Sequence, residues 1–87
     1  MVINTAYFVY ILRCSDDSLY VGITTDLERR IDEHNNSTLG AKYTRNKRPV
    51  YLEYFEKFET RSQALKREIQ IKKLSHTKKL HLILDSL

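Results

Sequence analysis

The sequence has one proline and two glycines in 87 residues, and no repeat, low-complexity tract or linker divides it. At that length one small domain over residues 1–87 is expected, with a modest core and no room for a second. A single cysteine, Cys14, excludes an internal disulfide. With no CxxC pair or Cys/His cluster, a zinc site is not expected, and the thiol count suits a reducing cytoplasm. No apolar run is long enough to span a bilayer, and the N-terminus lacks the basic-then-apolar pattern of a signal peptide. The expectation is a soluble cytoplasmic protein with no membrane partner.

What is present is an ordinary globular composition, 41% hydrophobic and 30% charged, far from the low-hydrophobicity range of disordered chains. The formal net charge is +4 and the isoelectric point near 9.3. That balance modestly favours an anionic partner, nucleic acid ahead of an acidic protein or a lipid surface.

Tyr7 to Arg13 is rich in aromatic and β-branched residues and too short for an independent helix, so it reads as a strand. Ser15-Asp16-Asp17-Ser18 has turn chemistry, and Leu19 to Ile23 returns as a second strand. Side chains alternate faces along a strand, so loop parity decides which residues meet. A two-residue loop would put Tyr10 and Tyr20 on opposite faces, whereas an odd loop makes them diagonal neighbours on one face. No Asn-Gly or Asp-Gly forces the two-residue form, and the odd loop is expected. Gly22 lies inside the second strand, where glycine marks a bulge or a close approach to the backbone, here by a phosphate or the first helix.

Thr25 and Glu28 have the spacing of a capping box, which predicts a helix from Asp26 with Leu27, Ile31 and His34 on one face and Arg30 at its edge. Asn35-Asn36-Ser37 ends it. The stretch to Pro49 is irregular and basic, with Lys42, Arg45, Lys47 and Arg48 around Tyr43, a composition able to follow a phosphate backbone. Val50 to Phe58 alternates as a third strand. Thr60 and Gln63 form a second capping box, opening a helix to about Lys73 with an inward stripe of Ala64, Leu65, Glu68, Ile69 and Lys72. Ser75 restarts a helix whose Leu80, Ile83, Leu84 and Leu87 are expected to close the core.

Taken singly, each notable residue has a structural reading. Strand tyrosines are common, Arg30 can lay its stem on the core, Glu68 can pair with Lys72 at i, i+4, and a lone histidine such as His34 on an apolar stripe usually packs. Their arrangement resembles the GIY-YIG endonuclease family, named for two short strand motifs that read here Phe8-Val9-Tyr10 and Tyr20-Val21-Gly22. Phe8 stands where the first motif usually has glycine. The likeness continues through Thr25-Asp26-Leu27-Glu28-Arg29-Arg30 and Ala64-Leu65-Lys66-Arg67-Glu68. With Gly40-Ala41-Lys42-Tyr43-Thr44 and Ile71-Lys72-Lys73-Leu74-Ser75, the chain is similar to the small stand-alone bacterial members, the UPF0213-like proteins.

The resemblance implies an α+β fold, a three-stranded antiparallel sheet flanked by helices in the order β-β-α-β-α-α. It implies phosphodiester hydrolysis, on DNA more than on RNA, with repair, recombination and mobile-element defence all open as the process served. By the same resemblance, Tyr10 activates or positions the water, Tyr20 supports it, Arg30 forks onto the phosphate, and His34 is an alternative proton carrier. Glu68 would hold one Mg²⁺ or Mn²⁺, and Lys42, Tyr43, Arg45, Lys47, Arg48 and Lys72 would line the nucleic acid. Arg30 and the metal are expected to lower the Tyr10 pKa, with Arg30 and Glu68 converging on the face that carries both tyrosines. The competing reading is a nucleic-acid-binding module of the same fold with little or no nuclease activity; a protein-binding scaffold built on the Leu80–Leu87 helix is third.

Overall fold

A computed structural model describes residues 5–87. Its elements are β1 (Tyr7–Arg13), β2 (Leu19–Thr24), α1 (Leu27–Asn36), β3 (Tyr51–Phe58), α2 (Arg61–Lys72) and α3 (His76–Asp85). Both neighbours of β1 are antiparallel to it, and the strand order is β2-β1-β3. The fold expected from the sequence is the fold observed.

The hairpin loop runs from Cys14 to Ser18, between the paired residues Arg13 and Leu19. Asp17 takes a left-handed conformation (φ 65°), which a short polar side chain tolerates, and Asp16 Oδ1 accepts from the Ser18 backbone N–H at 3.0 Å. The odd loop pairs Tyr10 with Gly22 and Leu12 with Tyr20. Tyr10 and Tyr20 therefore share a face.

That face carries Tyr10, Leu12, Cys14 and Val50, packed by Tyr20, Leu52 and, from α1, Leu27 and Ile31. The other face carries Val9, Ile11 and Val21 against Ala64 and Ile71 of α2 and Ile83 of α3. Between them the sheet is covered on both sides, as the apolar residues at both parities of β1 require. Asn35 joins α1 to the start of β3: its amide donates to Val50 O at 3.0 Å and accepts from Val50 N at 2.7 Å.

Three helix assignments need correction. The N-cap of α1 is Asp26, whose side chain accepts from the Arg29 N–H at 3.1 Å; Thr25 does not cap it, and Glu28 falls one position short of the capping-box site. In α2 the Thr60–Gln63 capping box is present. The buried residues of that helix are Ala64 and Ile71, while Ile69 (53% exposed) and Lys72 face water. In α3, Leu82 and Ile83 pack inward and Leu80 and Leu84 are exposed, as is Leu87 beyond the helix end. Apolar residues at 80, 82, 83 and 84 surround most of that helix, so periodicity selects no face.

Candidate nuclease site

Tyr10 is almost fully buried (1% exposed), and its ring lies across the backbone of Gly22. A Cβ at residue 22 would stand 2.4 Å from the Tyr10 hydroxyl and 2.6 Å from Cζ. Gly22 is thus the bare floor under Tyr10, and the group that approaches it is this ring rather than a phosphate or α1. Tyr20 comes alongside with ring centroids 6.4 Å apart.

From α1, the fully buried His34 meets both rings, at 6.0 Å from Tyr10 and 5.2 Å from Tyr20. The Tyr10 hydroxyl and His34 Nε2 are 3.0 Å apart, and His34 Nδ1 lies 2.8 Å from the Thr44 hydroxyl. Thr44, itself fully buried, donates onward to the Ala41 carbonyl at 3.0 Å. Arg30 comes in at the edge of the stripe. Its Nη1 donates to Glu33 Oε1 (3.0 Å) and Leu39 O (2.7 Å), and the guanidinium lies near enough to Tyr10 to favour its ionised form.

Burial nevertheless outweighs Arg30. Loss of solvation pushes the Tyr10 phenol up to about 12, with the Tyr20 and Glu68 charges adding to the rise, because a dry environment penalises the phenolate more than one nearby cation favours it. Arg30 by itself therefore does not bring this pKa below its ordinary value, and the resting Tyr10 keeps its proton. The same burial, helped by Arg30 and Arg48 and opposed by Glu33, holds His34 down to about 4. His34 is neutral at physiological pH and free to accept.

The His34 shift makes a stability prediction. Its folded pKa is depressed from 6.5 to about 4, so between those values the unfolded chain binds more protons. This contribution is full above pH 6.5 and is lost as pH falls toward 4, about 3 kcal/mol over the window. Urea unfolding from pH 7 to pH 4 should show a steeper loss for the parent than for His34→Gln; parallel curves would refute the buried neutral imidazole.

Glu68 does not join the cluster on that face, contrary to expectation. It belongs to α2, which packs on the opposite side of the sheet, and its carboxylate lies 3.5 Å from Lys72 Nζ with 13% of the side chain exposed. Its influence on the Tyr10 site is electrostatic: the Glu68 charge adds to the rise of the phenol's pKa. No three His, Cys, Asp or Glu side chains cluster as a metal cage among the described residues. One carboxylate suits only a hard cation that keeps most of its waters and takes substrate phosphate oxygens, which is the habit of Mg²⁺. Glu68 fits such an ion, with Lys72 as the partner to be displaced.

The basic loop divides. Lys42 and Arg45 project into solvent. Tyr43 stacks on Tyr20 (5.8 Å, 29°), while Lys47 sits 3.8 Å over the Tyr43 ring and 3.3 Å from Asp16. Arg48 is turned inward and donates to the carbonyls of His34 and Ser37, where a cation satisfies the orphan acceptors and dipole of a helix C-terminus. Arg48 therefore belongs to the scaffold and not to the nucleic-acid surface, and Lys47 latches the loop to the hairpin.

Two residues that shape the site were not assigned a role from sequence. Thr44 completes the hydrogen-bond chain from Tyr10. Gly40 lies so close to α1 that a Cβ would stand 2.8 Å from Glu33 O and 2.9 Å from the His34 Cα, which lets the loop bring Thr44 onto His34. Two hollows of the surface lie away from this cluster, one lined by Thr5, Tyr7, Lys57, Phe58, Glu59 and Thr60 and another by Leu52, Glu53, Tyr54 and Ser86.

Two strand tyrosines and a helix-borne arginine and histidine thus meet on a β-β-α-β-α-α frame. A family model described as the GIY-YIG catalytic domain matches residues 6–81, and the chain belongs to that family, which is one of nucleases acting on nucleic acid. It is similar to a UPF0213 protein of Desulfotalea psychrophila, 56% identical over 78 residues, covering 90% of this chain and 71% of the relative. A UPF0213 protein of Haloquadratum walsbyi is 56% identical over 79 residues, covering 91% and 88%. Among solved structures, the solution NMR structure of a protein from E. faecalis aligns at 47% identity and a TM-score of 0.65, covering 98% of this chain and 90% of that one. That of a UPF0213 protein from Bacillus halodurans aligns at 44% and 0.58, covering 90% and 82%. No helix among the described residues is long and apolar enough to cross a membrane.

Proposed function

We propose that this chain is a metal-dependent endonuclease that hydrolyses phosphodiester bonds in DNA, with structured or damaged DNA in repair or recombination as its substrate class. The observation that carries the proposal is the buried hydrogen bond between the Tyr10 hydroxyl and His34 Nε2, set beside Arg30. A phenol held at about 12 is a poor base when it must first ionise alone. Coupled to a neutral histidine, Tyr10 can pass its own proton to Nε2 while its oxygen takes one from the attacking water. Hydroxide then adds to phosphorus and the opposite P–O bond breaks. The histidine ends as imidazolium, a state that its burial disfavours and the negative charge growing on the phosphate offsets, and the departing oxygen takes a proton from solvent.

Arg30 stabilises the charge that grows on the phosphate, a task for which its planar fork suits it better than lysine. Tyr20 packs against Tyr10 and His34 and holds their rings in register. A cation at Glu68 would supply further counter-charge to the phosphate. Lys42 and Arg45 are the exposed loop cations that would meet the DNA backbone, Arg45 by giving up a long hydrogen bond to Thr38 O (3.4 Å).

The test is cleavage of nicked, flapped, branched and plain DNA in Mg²⁺ or Mn²⁺. The parent should cut, and Glu68→Gln should lose about 10²–10³-fold, the scale of removing one preorganised charge interaction. Equal cutting by a folded Glu68→Gln would refute the metal assignment. Salt-sensitive binding without cleavage in either ion would instead favour the nucleic-acid-binding module, a reading supported by the unionised resting state of Tyr10.

A further inference from the structure

Building on the nuclease reading, we infer that Thr44 is a positioning residue: its hydroxyl selects the His34 tautomer that leaves Nε2 as an open acceptor for the Tyr10 proton. The inference follows from counting donors and acceptors in the chain Tyr10–His34–Thr44–Ala41, every side-chain member of which is buried.

A neutral imidazole has one donor and one acceptor nitrogen, and the hydrogen bond made by one nitrogen decides the role of the other. The Ala41 carbonyl can only accept. If the Thr44 hydroxyl donates to it at 3.0 Å, the Thr44 oxygen must accept from His34 Nδ1–H at 2.8 Å. Nε2 is then unprotonated and receives the Tyr10 hydroxyl proton at 3.0 Å. All three hydrogens have acceptors.

The reverse assignment loses on the same count. If Thr44 donated to Nδ1, Nε2–H would donate to the Tyr10 oxygen, and the Ala41 carbonyl would keep only the Thr44 backbone N–H at 3.1 Å. The Tyr10 hydrogen would have no acceptor among the described residues, since the other group acting on that hydroxyl is Arg30, which has no acceptor. A buried donor with no partner costs about 1–3 kcal/mol, enough to make the first arrangement dominant at room temperature.

The lock is built by the backbone of the loop. The Thr44 and Lys47 N–H groups close successive turns onto Ala41 O and Thr44 O, and Gly40 allows this turn to lie against the His34 Cα. The charged and titratable groups facing His34 are Tyr10 and Tyr20 from the hairpin, Arg30 and Glu33 from α1 and Arg48 from the loop. Apart from Tyr10, none of these makes a side-chain hydrogen bond to the imidazole among the described residues, so Thr44 alone sets its second nitrogen.

The experiment compares the parent with Thr44→Val, which keeps the shape and removes the hydroxyl, and Thr44→Ser, which restores it. The ¹⁵N chemical shifts of the His34 ring, read on the metal-free protein, report the tautomer directly. Parent and Thr44→Ser should carry the proton on Nδ1; Thr44→Val should shift it toward Nε2. Cleavage should fall about 10- to 100-fold in Thr44→Val, the scale seen when a functional histidine loses its orienting partner, and should recover in Thr44→Ser with an unaltered pH profile.

A parent whose His34 is protonated on Nε2 overturns the inference, as does a Thr44→Val protein with unchanged ring shifts. If Thr44→Val does not fold, the parent and Thr44→Ser spectra still decide. An inactive parent with the expected tautomers would sink the nuclease reading and support the Thr44 assignment, so the two failures are told apart.

Discussion

Replacing Tyr10 with phenylalanine is expected to lower the cleavage rate by about 10²–10⁴-fold, the range supplied by a positioned proton-transfer group. The substitution is unusually clean here. Phenylalanine keeps the ring that fills the space above Gly22 and packs against Tyr20 and His34, so the sheet and α1 have no reason to move. What disappears is the hydroxyl that donates to His34 Nε2. A buried acceptor is then left without a donor, at about 1–3 kcal/mol of stability. The two effects are read separately, cleavage by single-turnover kinetics and stability by urea unfolding. If Tyr10→Phe cuts like the parent, the proton path begins elsewhere.

Gly22→Ala should be nearly as severe for activity, although residue 22 carries no reacting atom. The added methyl would sit inside the van der Waals envelope of the Tyr10 hydroxyl and Cζ. A flexible, exposed ring would swing away at little cost. This one is buried, tethered to His34 and flanked by Tyr20. Either the hydrogen bond to Nε2 breaks or the β1–β2 pairing at Tyr10–Gly22 opens. Overpacking of this kind costs about 1–3 kcal/mol, and a displacement near 1 Å at a reacting group can cost about 10²-fold in rate. Loss of cleavage with DNA affinity retained is the expected signature. A Gly22→Ala protein with the parent's rate and stability would mean that Tyr10 is not held as described.

The parts of this molecule that could be read from its residues are those governed by short-range rules. Aromatic and β-branched runs around a polar turn specify the hairpin, and the missing Asn-Gly or Asp-Gly correctly points to the odd loop that brings Tyr10 and Tyr20 together. The α2 capping box is equally local. Helix orientation is not, and the inward faces of α2 and α3 are set by the sheet they meet; Ile71 rather than Ile69 reaches the core, and Leu80 and Leu84 face outward. The α1 cap is Asp26 rather than Thr25, since a threonine and an aspartate side by side are both good caps and spacing alone does not choose between them.

The site was legible only as a set of types. Tyr10, Tyr20, Arg30 and His34 gather at one place, whereas Glu68 belongs to the helix on the other side of the sheet. What no local pattern could show is the wiring: the bonds from Tyr10 to His34 and from His34 to Thr44 cross 24 and 10 residues. Nor does charge composition tell a phosphate ligand from a helix cap, which is why Arg48 looked like one and serves as the other.

The segment between α1 and β3 has neither helix nor strand, yet Tyr43 lies on Tyr20, Thr44 on His34, Lys47 on Asp16 and Arg48 on the end of α1. Irregular connections are usually where a lineage tolerates insertions and deletions. In this protein a single added residue between Gly40 and Arg48 would put the hydroxyl, the aromatic ring and both cations out of phase with their partners at once. Changes of length in relatives of this chain should therefore accumulate at the chain ends, and this coil should keep its residue count as strictly as a helix does.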